Sequence, residues 1–486
     1  MKKLNICIVS SEVVPFAKTG GLADVSGALG KYLSNMGHDV RIVMPFYSSV
    51  YISLKDFQPL KQAQNLDIWF GSQKILFSVY SSKLPQSRAT VYFVHCPYLY
   101  NRGSIYTQDE DEFLRFALLN LATIEICQRL NWAPHVIHGN DWQSGLLPIY
   151  LKTSYAQLPL LKNTKTLLTI HNIGYQGIFP AQSINSLNLN EYYQWFDAIE
   201  LYNGKINFLR TGIIHADKIS TVSETYAREI QTDFYGEGLQ HTLKARSHDL
   251  VGILNGVDYD EWNPETDNYI PYHYSIGNLS GKNKNKRKLL SRLGLTYDPK
   301  AAVIAMVTRL VEQKGIDLLK GTMEKVLHGY DIRFIVLGNG EHHYEQYLYY
   351  LQQTFPEKVV FYRGYNNELS HLIEAGADIF LMPSKYEPCG LNQIYSLKYG
   401  TVPIVRKTGG LADTVQEYNW QTGEGTGFVF EHYTPEGLYW AIQHALNTFP
   451  HKKIWKKLML AGMAQDFSWK HQISKYLELY RNMIKL

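Results

Sequence analysis

The heptapeptide Lys-Thr-Gly-Gly-Leu-Ala-Asp occurs twice in this chain, at residues 18–24 and again at residues 407–413. Both copies follow a short apolar run, residues 6–9 in one case and 402–405 in the other, and both continue into a helical pattern. Two glycines between a strand and a helix allow a sharp turn, and the amides at the helix start favour an anion. The repeat therefore predicts two similar domains that face one cleft, each with an anion-binding loop.

The composition is that of a globular protein long enough for two domains. The 486 residues are 45% hydrophobic and 19% charged, and the net charge of +4 indicates no nucleic-acid or acidic-membrane partner. No apolar stretch is long enough to span a bilayer. The cysteines lack the paired spacing of a zinc or redox site and fit a reducing compartment; they are Cys7, Cys96, Cys127 and Cys389.

Short apolar, β-branched runs alternate with longer helical patterns along the chain. Continuous runs of this kind suit buried parallel strands, so each half predicts a doubly wound α/β sheet with ligands at the carboxyl ends of its strands. The predicted strands are residues 5–10, 40–44, 91–95, 136–138, 166–171, 218–222, 251–254, 302–308, 333–337, 359–362, 379–383 and 402–405.

Three further segments bear on the organisation of the chain. The boundary between the halves is predicted near residues 255–264, where a strand ends in a stretch with Gly, Asp and Pro. The last helical pattern, at about residues 469–485, follows a polar break. The basic cluster at residues 282–288 is interpreted as a solvated helix start after a polar linker.

Two cations follow the predicted strand at residues 302–308. Arg309 comes directly after it, and Lys314 lies five residues further on, with Gly315 behind it. A planar guanidinium and a compact ammonium next to a turn suit a diphosphate. A structural ion pair is the alternative interpretation, and the two glycine loops favour the diphosphate.

Two other polar residues lie at the end of a strand or in the loop after one. His171 ends the strand at residues 166–171, where it is either a functional residue or a satisfied structural histidine. Glu387 lies in a loop between a strand and a helix, where a carboxylate can hold sugar hydroxyls or stabilise an oxocarbenium ion. The alternative for Glu387 is a helix N-terminal carboxylate. Cys389 in the same loop is interpreted as a packed thiol.

The sequence gives little support for a metal or dinucleotide site. Residues 109–111 indicate an acidic helix start and residues 258–260 a polar turn, although such carboxylate pairs can bind Mg²⁺ on a nucleotide diphosphate. Residues 338–340, Gly-Asn-Gly, lack the third glycine of a dinucleotide loop and indicate a close helix–strand turn. No Ser or Cys nucleophile motif is present.

These motifs match a family of glucan-synthesising enzymes. The chain resembles the bacterial glycogen synthases and plant starch synthases in segments that span nearly its whole length, in the order of the family. The matching segments are Ser-Glu-Val-Val-Pro-Phe-Ala-Lys-Thr-Gly-Gly-Leu-Ala-Asp-Val at 11–25, His-Asn-Ile-Gly-Tyr-Gln-Gly at 171–177, Asn-Gly-Val-Asp at 255–258, Arg-Leu-Val-Glu-Gln-Lys-Gly at 309–315, Glu-Pro-Cys-Gly-Leu at 387–391 and the second heptapeptide.

The resemblance implies an α/β fold of the GT-B type, with two Rossmann-like doubly wound domains facing a deep interdomain cleft. It implies an N-terminal domain at residues 1–257 on the glucan side, a C-terminal domain at 258–463 on the ADP-glucose side, and a last helix at 464–486 that crosses back. The implied reaction transfers glucose from ADP-glucose to the non-reducing 4-hydroxyl of an α-1,4-glucan (glycogen, starch or a maltooligosaccharide). Configuration is retained, and neither a metal nor another cofactor is required.

The resemblance also implies roles for residues. Arg309 and Lys314 would neutralise the diphosphate, whereas His171 and Glu387 would hold the glucose, with the His171 carbonyl near the anomeric carbon. Tyr365 would stack on adenine. The glycines of both heptapeptides would offer amides to the phosphates and the donor glucose, and Asp141 would face the acceptor. The remaining expected substrate-binding residues are Lys18, Gly20, Gly21, Asp24, Asn255, Cys389, Gly390, Leu391, Thr408, Gly409 and Gly410.

Two positions depart from wider patterns. Many family members carry histidine where this chain has Gln143, which affects an acceptor-side contact. Broader GT-B enzymes have a second glutamate where this chain has Tyr395, a residue that looks usual for the glycogen and starch synthases. Ribose recognition must therefore differ from that of the broader class.

Three alternatives accompany this assignment. A GT-B enzyme that uses UDP-glucose would share the same motifs, and Tyr365 alone does not decide the donor base. A glucan phosphorylase would need a lysine anchor for pyridoxal phosphate, and no motif for one is present. A catalytically lapsed, glucan-binding paralogue is disfavoured by the intact charged motifs. The expected location is the bacterial cytoplasm, or the plastid stroma or starch granule in a phototrophic eukaryote; the sequence does not specify the oligomeric state.

Overall fold

The computed structural model describes residues 2–50 and 57–485 and divides into two compact units. The first unit comprises Met1–Val222, Ala227–Ile253 and Trp469–Leu486. The second comprises Ser223–Tyr226 and Leu254–Ser468. In the part of the chain that is described, none of the helices has the length and apolar character needed to cross a membrane.

Strands and helices alternate along both units. The strands are β1 (Asn5–Val9), β2 (Asp39–Pro45), β3 (Gln58–Pro59), β4 (Leu66–Phe70), β5 (Gln73–Lys83), β6 (Thr90–His95), β7 (Val136–Asn140), β8 (Lys165–Ile170), β9 (Ile178–Pro180), β10 (Lys205–Asn207), β11 (Lys218–Thr221), β12 (Leu250–Gly252), β13 (Ala302–Val307), β14 (Ile332–Gly338), β15 (Val359–Arg363), β16 (Ile379–Met382), β17 (Val402–Arg406) and β18 (Phe428–Phe430). The α-helices are α1 (Gly21–Asn35), α2 (Pro97–Tyr100), α3 (Glu112–Arg129), α4 (Leu147–Lys152), α5 (Ser183–Ser186), α6 (Ala198–Tyr202), α7 (Phe208–His215), α8 (Glu224–Glu229), α9 (Gln240–Ala245), α10 (Ser280–Arg292), α11 (Thr322–Gly329), α12 (His342–Thr354), α13 (Asn367–Gly376), α14 (Asn392–Tyr399), α15 (Gly409–Thr414), α16 (Pro435–Thr448), α17 (Lys452–Met463) and α18 (Trp469–Met483).

The first unit is built on one large sheet. Its parallel strands lie in the order β6-β2-β1-β7-β8-β11-β12, and β5 joins β6 in the antiparallel direction. Strands β3 and β4 pair with β5, while β9 and β10 form a separate antiparallel pair. The strand order changes direction between β1 and β7, which is where open α/β sheets bind ligands.

The second unit carries a parallel sheet in the order β15-β14-β13-β16-β17-β18. Numbered from its own first strand, this is the 3-2-1-4-5-6 order of the doubly wound, nucleotide-binding fold. The strand order changes direction between β13 and β16. The predicted doubly wound sheets are therefore confirmed in both units.

All twelve predicted strands are present, each within two residues of its predicted ends. Six others were not predicted: β3, β4, β5, β9, β10 and β18. In β5, buried positions alternate with exposed ones, so the strand lacks the continuous apolar run that identifies a strand buried on both faces. Strands β3, β9, β10 and β18 have only two or three residues.

The last helix, α18, belongs to the first unit and is tied to its sheet by a buried histidine. His138 in β7 bonds the Tyr480 hydroxyl through Nδ1 at 2.8 Å and the Thr169 hydroxyl through Nε2 at 2.6 Å. Burial lowers the pKa of His138 to about 3, so the ring is neutral and both nitrogens are satisfied.

The long segment of the second unit begins and ends at the same place. The Val257 amide donates to the Phe467 carbonyl at 2.9 Å, and Val257 pairs with Ser468 in a parallel bridge. The Phe467 amide donates to the Tyr259 hydroxyl at 3.2 Å. The chain that enters this unit and the chain that leaves it are thus hydrogen-bonded neighbours.

The interpretation of the basic cluster as a solvated helix start is wrong for two of its lysines. Lys282 and Lys286 are buried on one face of α10, as their spacing of four residues allows. Lys282 donates to the Thr401 hydroxyl at 2.7 Å and to the Glu374 carbonyl at 3.3 Å, and Lys286 pairs with Asp378 at 2.7 Å. Burial lowers the pKa of Lys282 to about 7. These acceptors lie about 90 to 120 residues away in the sequence, where a local charge pattern gives no sign of them.

Candidate active site

Polar side chains gather where the strands beside each switch point end. In the first unit they follow β1, β7 and β8, and in the second they follow β13, β16 and β17. The carboxyl ends of parallel strands lie at one edge of a sheet, so residues far apart in sequence meet there. Each unit therefore has its own cluster of predicted site residues.

The first cluster centres on His171 and Asp141. Asp141 follows β7 with a left-handed backbone (φ 53°), and its Oδ1 accepts the His171 amide at 2.7 Å. The His171 Nε2 lies 2.9 Å from the Asn140 Oδ1, whereas its Nδ1 has no hydrogen-bond partner among the described residues. The structure thus brings Asp141 onto the backbone of His171, a contact that the sequence did not predict.

Burial shifts the pKa of both side chains toward their neutral forms. The pKa of His171 is lowered to about 3, so its ring is uncharged at neutral pH. The pKa of Asp141 is raised to about 7 by burial, and the amides of His171 and Asn172 oppose that rise. His171 is therefore suited to bind neutral hydroxyl groups, and Asp141 titrates close to physiological pH.

The first heptapeptide loop binds a carboxylate of its own chain. The buried side chain of Glu12 accepts the amides of Thr19 and Gly20, the latter at 3.2 Å. It also accepts the Thr19 hydroxyl at 2.7 Å and the Tyr106 hydroxyl at 2.5 Å. The Gly20 amide that we expected to face a phosphate or the donor glucose thus bonds to Glu12. Helix α1 begins at Gly21, and Lys18 pairs with Asp24 at 2.8 Å.

Glu12 is the residue of this site that the sequence reasoning missed. It lies inside the matching segment at residues 11–25, yet no role was assigned to it. The sequence feature that could have identified Glu12 is its position, a carboxylate between the end of an apolar strand and a glycine loop rich in amide donors. Its partners could not be identified because Tyr106 is 94 residues away in sequence.

In the second unit, Lys314 and Glu387 form an ion pair. The Lys314 Nζ lies 2.6 Å from the Glu387 Oε2, and the Ser384 hydroxyl donates to the same oxygen at 3.1 Å. Both charged side chains are largely buried, with 18% and 7% of their surfaces exposed. The contact joins one of the two predicted diphosphate-binding cations to the predicted glucose-binding carboxylate.

Arg309 differs from Lys314 in having an exposed side chain. It follows the end of β13, and its guanidinium makes no hydrogen bond or ion pair to a described residue. An uncompensated guanidinium at the carboxyl end of a central strand is available for a diphosphate. The alternative interpretation, a structural ion pair, therefore describes Lys314, which pairs with Glu387, but not Arg309 among the described residues.

The second heptapeptide loop packs directly on the loop that carries Glu387. The Gly410 amide donates to the carbonyls of Glu387 and Pro388, at 3.1 and 3.2 Å. Gly409 has a φ of 44°, and a Cβ there would lie 1.9 Å from the Glu387 carbonyl oxygen. A larger residue would push the two loops apart. Thr408, the residue before α15, is fully buried.

The residues after Glu387 are packed rather than open. Cys389 is buried, and burial raises its pKa to about 12, which agrees with the interpretation as a packed thiol. The backbone of Asn255 bonds to this thiol, and the Asn255 Oδ1 is buried with no partner among the described residues. Gly390 turns with a φ of 71°, and Leu391 precedes α14.

Tyr365 and Tyr395 have opposite surroundings. The Tyr365 ring is 69% exposed just beyond β15, and its hydroxyl donates to the Asn367 Oδ1 at 2.8 Å. The Tyr395 ring lies flat against Trp262, with centroids 3.9 Å apart and the planes 6° from parallel. Tyr365 therefore presents an open face, whereas one face of Tyr395 is covered by an indole.

The carboxylate pairs of the sequence have structural partners. Arg102 contacts Asp109 at 2.8 Å and both oxygens of Asp111 at 2.5 and 2.6 Å. The Asp260 amide donates to the Asp258 side chain at 3.0 Å, as in a polar turn. Within residues 2–50 and 57–485, no three His, Cys, Asp or Glu side chains are placed to hold a metal ion.

Replacing Glu12 by Gln is expected to loosen the first loop. The carboxamide has the same size, but its NH₂ group cannot accept the donors that one carboxylate oxygen now receives. Loss of hydrogen bonds to a charged group weakens the loop by about 1.5–3 kcal/mol, so exchange of the Thr19 and Gly20 amides should rise about tenfold or more. Hydrogen exchange of peptides that cover residues 13–22 measures this. The exposed Glu110→Gln is the matched control, and unchanged protection in Glu12→Gln would contradict the assignment.

Replacing Asp141 by Asn is expected to change how stability depends on pH. Because the folded pKa of about 7 exceeds the unfolded value of about 3.9, the native state binds an extra proton between those values. The contribution of Asp141 to stability is therefore complete at low pH and is lost as the pH rises through 7. Relative to Asp141→Asn, the wild type should lose roughly 1 kcal/mol of unfolding free energy per pH unit between pH 5 and 7. Urea unfolding at several pH values measures the difference, and parallel curves for the two proteins would refute the shift.

Comparisons with known proteins assign the chain to a family. The family model of the starch synthase catalytic domain matches residues 5–245, and that of the glycosyl transferases group 1 matches residues 293–457. The glycogen synthase of Thermotoga maritima is 43% identical over 486 residues, which covers 99% of each chain. The catalytic domain of starch synthase IV from Arabidopsis thaliana, solved with ADP and acarbose, is 31% identical, with a TM-score of 0.91 and full coverage of both chains.

A more distant structure supports the fold alone. Sucrose-phosphate synthase from Thermosynechococcus elongatus is 18% identical, with a TM-score of 0.62 over 99% of this chain and all of the other. Together with the two doubly wound sheets, these neighbours confirm the α/β fold of the GT-B type. The extent of the matches also shows that the chain is an enzyme that transfers a sugar. It belongs to the glycogen synthase and starch synthase family of glycosyltransferases.

Proposed function

We propose that this enzyme transfers glucose from ADP-glucose to the non-reducing 4-hydroxyl of an α-1,4-glucan, with retention of configuration. Support comes from relatives named glycogen synthase and from the starch synthase structure that holds ADP and acarbose. The single observation that carries the proposal is the exposed Arg309, which has no ion pair among the described residues. It lies five residues before Lys314, whose ammonium pairs with Glu387 of a second loop.

The leaving group of this reaction is a nucleoside diphosphate, whose negative charge grows as the glycosidic bond breaks. Arg309 and Lys314 are assigned to that charge, because preorganised cations stabilise a transition state without reorganisation. Arg309 can bind two phosphate oxygens at once, and Lys314 acts as a point charge. In this proposal the two cations supply the charge that a divalent metal supplies in other transferases.

The Lys314 ammonium interacts with Glu387 and is also assigned to the diphosphate. In the structure it neutralises a carboxylate that is almost fully buried. When the diphosphate binds, the ammonium can serve both anions, and Glu387 keeps a fixed position for the glucose hydroxyls. The Gly410 amide holds the backbone of the same loop through the Glu387 carbonyl. Removal of Lys314 would therefore affect both donor binding and the position of Glu387.

The glucose is also assigned to the neutral ring of His171 and to its backbone carbonyl. Asp141 fixes this part of the chain because its carboxylate accepts the His171 amide. A developing oxocarbenium ion is stabilised by a nearby carbonyl dipole held in place, since the dipole need not reorient. Lys18, Asp24 and Asp141 remain assigned to the donor and acceptor side of the first unit.

The adenine base is assigned to the open face of Tyr365. Stacking on an aromatic ring does not by itself select adenine over uracil, because both bases have a π face. The closest competing function is thus a glucosyltransferase that uses UDP-glucose. A glucan-binding paralogue without activity is the second competitor, and the preserved Lys314–Glu387 pair argues against it.

Arg309→Ala and Lys314→Ala are each expected to lower kcat by on the order of 10² to 10³, the range for losing one transition-state donor. Lys325→Ala is the matched control, because that lysine is exposed on α11 of the same unit. Initial rates of glucose transfer at saturating donor measure the effect. Wild-type kinetics in both Arg309→Ala and Lys314→Ala would remove the diphosphate role.

The donor and acceptor are tested together by glucose incorporation into glycogen and into maltooligosaccharides. ADP-glucose and UDP-glucose are supplied in parallel, with EDTA present. Rapid transfer from ADP-glucose despite EDTA is the expected result. A preference for UDP-glucose would overturn the donor assignment, and a rate abolished by EDTA would overturn the metal-free mechanism. Glucan binding without transfer from either donor would favour the inactive paralogue.

A further inference from the structure

Two tryptophans of the second unit expose large ring surfaces outside the residues assigned to the reaction. Trp420 is 46% exposed and Trp440 is 51% exposed. Both rings contact the imidazole of His444, with centroid distances of 5.7 Å for Trp420 and 5.3 Å for Trp440. We call Trp420, Trp440 and His444 the aromatic platform. No role in the proposed reaction falls on any of its members.

Hydrogen bonds within the protein hold the platform in place. The Trp420 indole N–H donates to the His444 Nε2, which fixes the orientation of the ring. The loop that carries Trp420 is closed by the Asn419 amide on the Glu424 carbonyl at 2.8 Å and by the Tyr418 amide on the Gly427 carbonyl at 2.9 Å. Trp440 projects from α16, a helix whose other face lies in the core. Binding to rings already in place costs little conformational entropy.

Burial shifts His444 and the neighbouring Glu417 toward their neutral forms. Burial lowers the pKa of His444, so the imidazole is neutral. Burial also raises the pKa of Glu417, whose Oε1 lies 3.7 Å from the His444 Nδ1, to about 7. A nucleic acid or a phosphorylated peptide would find no matching charge in these two groups.

The surroundings of the platform are polar rather than aliphatic. Within residues 415–455, Trp420 and Trp440 are the only large hydrophobic side chains that are exposed. Gln421, Asn447 and His451 are exposed around them, and the His451 ring lies 6.3 Å from that of Trp420. A surface that docks a protein has a contiguous apolar centre, and residues 415–455 do not provide one. Two flat apolar rings in a polar rim instead match a ligand with apolar ring faces and hydroxyl edges.

We infer that the aromatic platform is a second binding site for an α-glucan chain, in which sugar rings lie against Trp420 and Trp440. The inference rests on the proposed function, because the acceptor is a polymer with many rings beyond the one that reacts. Holding the same polymer at a second place raises the effective concentration of chain ends at the reacting site. The platform should therefore matter for glycogen and not for a short maltooligosaccharide.

The test compares Trp420→Ala/Trp440→Ala with Trp69→Ala, a tryptophan of similar exposure (52%) in the first unit. Retardation in native gels that contain glycogen measures glucan affinity without any donor. The double variant is expected to bind glycogen about tenfold more weakly, as when an aromatic anchor is truncated. Its KM for glycogen should rise by a similar factor, whereas kcat and the KM for maltotriose should stay within about twofold of wild type.

Each outcome has a separate meaning for the platform and for the reaction. Unchanged retardation of the double variant, or an equal loss in Trp69→Ala, overturns the glucan platform even when the enzyme transfers glucose normally. Loss of retardation in an enzyme that transfers no glucose supports the platform and rejects the proposed reaction. A change in oligomeric state on size-exclusion chromatography with unchanged glycogen affinity would assign the platform to a contact between copies of the chain and overturn the glucan site.

A single substitution distinguishes a loss of glucan binding from a local folding defect. Trp440→Ala removes a ring that has no hydrogen bond to a described residue, so the hydrogen bond between Trp420 and His444 is kept. This variant should lose part of the glycogen affinity at an unchanged thermal midpoint, and Trp440→Tyr should restore most of it. Wild-type affinity in Trp440→Ala at full stability would reject the role of that ring.

Discussion

The carboxyl ends of parallel strands meet at one edge of a sheet, and this constraint decides where the predicted site residues of each unit lie. Both sheets reverse their strand order beside the first strand, and the crevice that this leaves lies beyond the central strands. The residues that follow those strands include Asp141 and His171 in one unit and Arg309 and Glu387 in the other. Each sheet brings the residues of its own unit to one edge, so no further secondary structure is needed to gather them there.

The two copies of the heptapeptide show what a local sequence does and does not determine. Both copies make a glycine turn and start a helix, at Gly21 and at Gly409. Their amides nevertheless bond to different acceptors: the first to the buried carboxylate of Glu12, and the second to main-chain carbonyls of the loop at residues 387–388. One loop is therefore organised by a charge and the other by close packing, although their seven residues are identical.

Most of the fold could be predicted from the sequence because buried parallel strands leave continuous apolar runs. The exposed β5 left none, and its antiparallel extension of the first sheet was missed for that reason. The sequence predicts Lys314 and Glu387, which lie in loops after strands, as site residues. It does not predict their 2.6 Å contact, because the two positions are 73 residues apart.

The residues that escaped prediction share one cause, which is that their partners lie far away along the chain. Glu12 depends on Tyr106, Lys282 on Thr401, and Trp420 on His444. When only the neighbours in sequence are known, a charged side chain is interpreted as solvated and an aromatic side chain as part of a core. The structure instead identifies the hydrogen-bond partner of each of these side chains, and that partner shows that neither charged side chain is solvated and that Trp420 is not simply part of a core.

The bridge between Val257 and Ser468 has a consequence for the architecture of the second unit. A stretch of more than two hundred residues starts and finishes on one hydrogen-bonded pair, so its ends need no long connection to be joined. Segments with adjacent ends are the ones that tolerate circular permutation or transplantation into another host chain. The second unit of this enzyme is thus a segment with adjacent ends, which could be joined directly while new termini are made in a surface loop elsewhere.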